Sequence, residues 1–265
     1  MFVLLLAVLA VQTVKYQRLK MFEDIVTTLE SNKFLPVRYT DSPAFSSSDN
    51  EETFKKSLVT QPNNWRYRNK EVTYTVNTDG YRTLEFDRVN WSESVVIFGC
   101  SIVFGVGLDD NETISSCLSR LINRPVINMG VSSSSPMFAT HNAIILKQGY
   151  PAPKAVVNIW SSIDRTTYYH TDHVQHSVTD SNRHSYFHQW NRIKSNPIVN
   201  SLFLQRMNNI MWKGIPYFEA SFFEHSAKCF KCEHVHAVDC GRDLMHPGHE
   251  SAELLAKTIA ENLKL

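Results

Sequence analysis

Residues 94–107 read Ser94-Val-Val-Ile-Phe-Gly-Cys-Ser-Ile-Val-Phe-Gly-Val-Gly107. The unbroken apolar run Val95 to Phe98 has no polar alternation, which is what a strand buried on both faces of a parallel sheet requires. Two more runs of this kind follow, Pro125-Val-Ile-Asn128 and Lys154-Ala-Val-Val-Asn-Ile-Trp160. Helix-like stretches, 112–122 and 136–148, lie between them. Strand and helix in alternation predict an α/β protein with a doubly wound, mostly parallel sheet. Further along, the pattern predicts a helix over 197–211, a strand near 233–238 and a closing helix over 249–263. The intervening stretch from Ser161 is polar, aromatic and histidine-rich.

Composition agrees with one sizeable core. The chain has 265 residues, 43% of them apolar and 20% charged, which excludes collagen-like, low-complexity and wholly disordered chains. Lys and Arg number 27 against 26 Asp and Glu, a net charge of +1, so no global field draws in nucleic acid. Five cysteines, an odd number thinly spread, do not make a disulfide scaffold and favour a reducing compartment. Cys229 and Cys232, followed by His234 and His236, invite a zinc reading. All four fall within eight residues, whereas structural zinc usually draws on two well-separated knuckles, so ordinary thiols are the expectation.

Upstream of the sheet the texture differs. Phe2 to Val11 is a run of ten apolar residues, too short to span a membrane before Gln12, Lys15 and Arg18. Apolar spacing continues through Val14, Phe22, Ile25, Val26 and Leu29, which predicts an amphipathic helix that docks on its own domain or a partner, or attaches to a membrane. That run favours a membrane or export, against the cytosolic preference of the cysteines. Residues 36–66 are rich in Ser, Asn, Pro and charge and read as a linker without a core. Val72, Tyr74 and Val76 alternate with polar residues, as in a half-buried strand ending at the turn Asn77 to Gly80. The expected organisation is thus a helix over 1–35, an extension over 36–93 and a main domain over 94–265.

In an open α/β sheet, ligands bind beyond the carboxyl ends of the strands. Three strand ends carry suggestive residues. Ser101 follows the first, with its hydroxyl at the rim and its N–H at a helix start, suited to an oxyanion. Gly130 follows the second, where another N–H can approach the same point. Asp243 and His246 follow the last. Three apart, they fall on one side of a single turn, so the carboxylate can fix the imidazole tautomer while the other ring nitrogen faces a serine. The alternatives are that Ser101 and Asp243 are helix caps and that His246 is an exposed polar residue.

These segments, in this order, resemble the SGNH, or GDSL-type, hydrolase superfamily: Phe98 to Gly107 its first block, Asn128 to Gly130 its second and Asp243 to His246 its last. The stretches Asn77 to Arg82 and Leu108 to Thr113 are similar to members with an N-terminal extension. The resemblance covers roughly residues 74–265. It implies a flavodoxin-like three-layer α/β/α sandwich and an ester hydrolase with Ser101 as nucleophile, His246 as base and Asp243 as its orienting acid. The N–H groups of Ser101 and Gly130 would hold the oxyanion, and neither metal nor organic cofactor is implied. The expected substrate is a small acyl ester, an O-acetyl group on carbohydrate among the candidates. Transfer to an acceptor alcohol and an inactive carbohydrate-binding or assembly module are the alternatives.

Two positions depart from the family pattern. Cys100 stands where an acidic residue usually precedes the serine. In the third block, Trp160-Ser-Ser-Ile-Asp164-Arg165 has Ile163 where the family places an oxyanion-donating Asn, leaving Ser161 or Ser162 as a substitute donor and Asp164 and Arg165 as substrate-binding residues. His170, His173 and His176 recur every three residues and read as a solvated face rather than a metal site. Tyr168, Tyr169, Phe187 and Trp190 offer either a sugar-stacking wall or ordinary packing.

Overall fold

The structure, a computed structural model, describes residues 33–35, 37, 45, 46, 48–169, 174–177 and 195–265. The apolar runs at 95–99, 126–130 and 155–159 do form strands: β1 (Val95–Gly99), β2 (Val126–Gly130) and β3 (Ala155–Ile159). After β3 the chain makes a small antiparallel ribbon of β4 (Thr166–Tyr169) and β5 (Val174–Ser177), then returns to the sheet as β6 (Tyr217–Ser221) and β7 (Glu233–His234). The sheet order is β2-β1-β3-β6-β7, and every neighbouring pair is parallel.

Seven described helices surround it: α1 (Glu51–Thr60), α2 (Ser101–Phe104), α3 (Ile114–Ile122), α4 (Pro136–Gly149), α5 (Ser195–Met211), α6 (Glu224–Phe230) and α7 (His249–Leu263). Successive strand residues point to opposite faces, and the packing follows that period. Val95, Ile97, Val157 and Ile159 meet Ile114 and Leu118 of α3 and Leu255 and Ile259 of α7. Val96, Phe98, Ile127, Met129 and Val156 meet Phe138, Ala139, Ile145 and Leu146 of α4 on the other side. The result is an α/β/α sandwich, as expected.

Local chemistry sets the helix ends. The Thr113 hydroxyl accepts from the Ser116 N–H and starts α3, and Asn123 ends it in the left-handed region at φ 50°. Pro136 opens α4, where its missing N–H costs nothing. The start of α7 is held by Asp239, whose carboxylate accepts from the N–H groups of Glu250 (3.0 Å) and Ser251 (2.9 Å). That cap leaves Asp243 to other work.

The extension differs from its sequence reading. Residues 51–60, read as linker, form α1, with the Asn50 side chain accepting from the Thr53 N–H. Phe34, Leu35, Tyr81 and Trp91 are buried in the same apolar cluster as Val96 and Phe98, and Tyr67, Val72 and Tyr74 bury Phe104 and Val106. Packing therefore runs across the expected boundary at residue 93. The expected strand over 72–76 is absent. Val72 and Tyr74 are buried in alternation, but the N–H groups of Thr73 and Thr75 donate to the carboxylates of Asp109 (2.9 Å) and Asp110 (3.1 Å) instead of to a neighbouring strand. No described helix is long and apolar enough to cross a membrane. The apolar run 2–11 and the helix expected from it lie outside the described residues, as do His170, His173, Phe187 and Trp190.

Candidate active site

Ser101 is the first residue of α2, two positions beyond the end of β1. The chain passes from β1 to β2 on one side and β3 lies on the other, so the serine stands where the sheet reverses direction, the crevice in which such folds bind ligands. As the first helical residue its N–H has no carbonyl one turn back to satisfy it. The side chain is 6% exposed.

The Ser101 Oγ lies 2.8 Å from His246 Nε2, and His246 Nδ1 lies 2.5 Å from Asp243 Oδ2. A carboxylate only accepts, so Nδ1 carries the ring proton and Nε2 of the neutral ring is left to accept from the serine hydroxyl. Asp243 is buried, and its Oδ1 accepts from the N–H groups of Met245 (3.1 Å) and His246 (3.0 Å). Burial works against its charge. The His246 ring, the Ser48 hydroxyl and the His246 N–H outweigh burial and hold the carboxyl below its ordinary value. The turn is bought with backbone strain at Leu244, which sits at φ 58° without being glycine.

Serine and histidine loops meet because there is no side chain at Gly107. Its φ is 81°, a Cβ would lie 2.9 Å from the Arg242 N and 3.0 Å from Asp243 Oδ1, and its carbonyl accepts from the Arg242 N–H at 2.8 Å. Behind the serine, Arg82 spends all five guanidinium N–H groups. They reach the carbonyls of Phe104 (3.2 Å), Gly105 (2.7 Å), Leu108 (2.8 Å) and Thr73 (2.5 Å) and the Asp110 carboxylate (2.7 Å). The guanidinium also lies 4.5 Å from the Tyr74 ring centroid. This one side chain pins the loop that carries α2 into the crevice.

Gly130 has a different role from the oxyanion donor expected of it. Its N–H donates to Asn128 Oδ1 at 2.9 Å, and the Asn128 amide donates to the Val103 carbonyl at 2.8 Å. A Cβ on Gly130 would lie 2.3 Å from the Phe104 N, so the glycine is needed for β2 to pack against α2. Ser162 is also otherwise engaged. Its hydroxyl donates to Asp164 and lies 3.0 Å from His225 Nε2, while the Ile163 N–H donates to Ser226 Oγ at 2.9 Å. Arg165 places its guanidinium 5.6 Å from the Phe223 ring centroid, and its Nε and Nη1 are buried without a hydrogen-bond partner. Cys100 is buried, its Sγ 4.0 Å from the Ser101 hydroxyl.

The segment read as linker supplies residues that the sequence did not single out. Ser48 donates its hydroxyl proton to Asp243 Oδ2 at 2.5 Å, and next to it Asp49 forms a buried pair with Arg242, 2.7 Å from Nη2. Neither contact has a local signal, because the partners lie more than 190 residues away. Among the described residues no group of three or more His, Cys, Asp or Glu is arranged to hold a metal ion. Cys229 is exposed, and burial pushes the Cys232 thiol up to about 12.

No family model and no curated protein matches this chain. Solved structures similar to it include a protein assigned to the lipolytic G-D-S-L family from Desulfitobacterium hafniense DCB-2, with a TM-score of 0.42 and 13% identity over 64% of this chain and 99% of that one. A carbohydrate esterase family 2 enzyme with a carbohydrate-binding domain from Corynascus thermopiles gives 0.42 and 13% over 65% and 67%. An acetyl xylan esterase from the rumen bacterium Butyrivibrio proteoclasticus gives 0.41 and 11% over 66% and 66%. Others similar to it are described as an SGNH-hydrolase family esterase and as a GDSL-like lipase from Bacteroides thetaiotaomicron VPI-5482.

Proposed function

We propose that this protein is a serine ester hydrolase acting on a small acyl ester. The observation that supports this reading is the series of hydrogen bonds from Ser101 through His246 to Asp243 at the sheet's reversal point. In the reaction the Ser101 Oγ attacks the ester carbonyl carbon as its proton passes to His246 Nε2. Asp243 stabilises the imidazolium through Nδ1 and stays ionised. Collapse of the tetrahedral adduct breaks the C–O bond to the alcohol, which leaves with the proton from Nε2. Water then repeats the sequence on the acyl-serine and restores the hydroxyl. The Ser101 N–H would meet the oxyanion, which asks more of this donor than in a site with several.

The low exposure of Ser101 favours a short acyl chain, and an O-acetyl group on a carbohydrate is the specific substrate we propose. Covalent labelling of the full chain by a fluorophosphonate, together with hydrolysis of p-nitrophenyl acetate, tests the reading. We expect labelling and turnover in the wild type and neither in Ser101→Ala. Turnover that survives in both Ser101→Ala and His246→Ala would overturn it. The apolar Ile163 at the expected donor position favours one second reading, a glycan-binding module on the same scaffold, for which glycan binding without labelling is the expected result.

A further inference from the structure

The described part of the extension reaches the catalytic turn, and one of its contacts is chemically specific. Ser48 Oγ lies 2.5 Å from Asp243 Oδ2, the same oxygen that accepts from His246 Nδ1, and 3.4 Å from Nδ1 itself. With two backbone N–H groups on Oδ1, the carboxylate receives four donors. Ser48 is itself held in place. Its neighbour Asp49 accepts from Arg242 Nε (2.9 Å) and Nη2 (2.7 Å), with the pair 0% and 4% exposed, and Arg242 stacks 4.9 Å from the Phe45 ring centroid and 5.1 Å from that of Phe54 on α1. The backbone of Ser46 and Asp49 closes a tight bridge around Ser48. A hydroxyl free to rotate on an exposed loop would be satisfied by water, whereas this one is anchored on both sides so that it points at a buried carboxylate.

We propose that Ser48 is a positioning residue for the esterase chemistry inferred above, fixing Asp243 and setting how strongly that carboxylate holds the His246 ring. Two donors share Oδ2, so the Ser48 hydroxyl draws off part of the negative charge that His246 Nδ1–H feels. Without it, Oδ2 becomes a stronger acceptor for the imidazolium, and the ring keeps its proton to higher pH. The ionisable groups on elements packed around the ring are Asp243 on its own turn, the Arg242–Asp49 pair, Asp239 at the start of α7, Cys240, and Cys100 beside the serine. Of these, Asp243 accepts from the Ser48 hydroxyl, so a change in His246 titration on truncating Ser48 reports on that hydrogen bond acting through the carboxylate.

The test is a pH titration of the full chain with its histidines labelled with nitrogen-15, His246 being assigned by its loss in His246→Gln. In Ser48→Ala the His246 midpoint should rise by about half a unit, with the other histidines unmoved, and Ser48→Thr, which keeps the hydroxyl, should restore the wild-type value. The acid limb of kcat/KM should move up with it. A His246 midpoint that stays put in folded Ser48→Ala overturns the proposal. If that variant does not fold, Ser48→Cys serves the same purpose. Its weaker donor should give a smaller rise, and no rise would again overturn the proposal. The titration needs no turnover, so it stands or falls separately from labelling of Ser101, which scores the esterase reading.

Discussion

Among the described residues, two sets of serine, histidine and aspartate can be set side by side, and their wiring differs. At the first, the serine hydroxyl meets Nε2 of His246 and the carboxylate of Asp243 meets Nδ1, so the three are in series with the imidazole between. At the second, the Ser162 hydroxyl stands between His225 Nε2 and Asp164, and it gives its proton to the carboxylate. Composition is the same in both. Only the series arrangement lets a ring accept the serine proton and find its new charge compensated from behind. His225 is also exposed, while His246 is 18% exposed over a fully buried carboxylate. Connectivity and burial, rather than the presence of three residue types, separate a candidate nucleophile from a hydrogen-bonded loop.

The sharpest way to break this comparison is Asp243→Asn, whose amide presents the wrong partner to Nδ1. We expect kcat on p-nitrophenyl acetate to fall on the order of 10⁴-fold, while His225→Gln stays within about threefold of wild type. Equal losses at both sites would end the distinction. Next in size is Arg82→Met, which removes the guanidinium from four carbonyls and the Asp110 carboxylate. Loss of about 3–5 kcal/mol is expected, read from denaturant unfolding of the full chain. The first site should also carry a pH signature. Asp243 has a folded value below its ordinary 3.8, so its contribution is present above that value and is lost as pH falls through the folded one. Unfolding midpoints measured from pH 5 downward should therefore drop less steeply in Asp243→Asn than in wild type. The smallest effect expected is at Leu244→Gly. Relief of the left-handed conformation, about 1 kcal/mol, is mostly offset by the extra chain entropy of glycine, so stability should move by less than about 1 kcal/mol.

The sequence was most readable where the signal is local. Strands β1 to β3 are short apolar runs, interrupted only by Asn128 and Asn158, because both sheet faces are covered. By contrast β6, Tyr217-Phe-Glu-Ala-Ser221, was missed. It carries a glutamate in mid-strand, and burial pushes the Glu219 carboxyl up while Tyr217, Gln205 and Trp160 satisfy it, the last two from 14 and 59 residues away. The same division runs through the site. Ser101 and the pair Asp243 and His246 stood out because strand ends and a three-residue spacing are local facts. Asn128, Arg82 and Ser48 did not, since their roles are defined by carbonyls and carboxylates elsewhere in the chain. Gly130 was misread for a related reason: the glycine was visible, but the acceptor for its N–H, the side chain two residues back, depends on how β2 packs.

The hydroxyl of Ser48 and the carboxylate it holds are 195 residues apart in the chain. At ribosomal rates of 5–20 residues per second, roughly 10–40 s pass between synthesis of the first and the second. For most of that interval Ser101 has been made and His246 has not. On the proposed reading, catalytic competence then waits until the turn at 243–246 closes on a segment made 195 residues earlier.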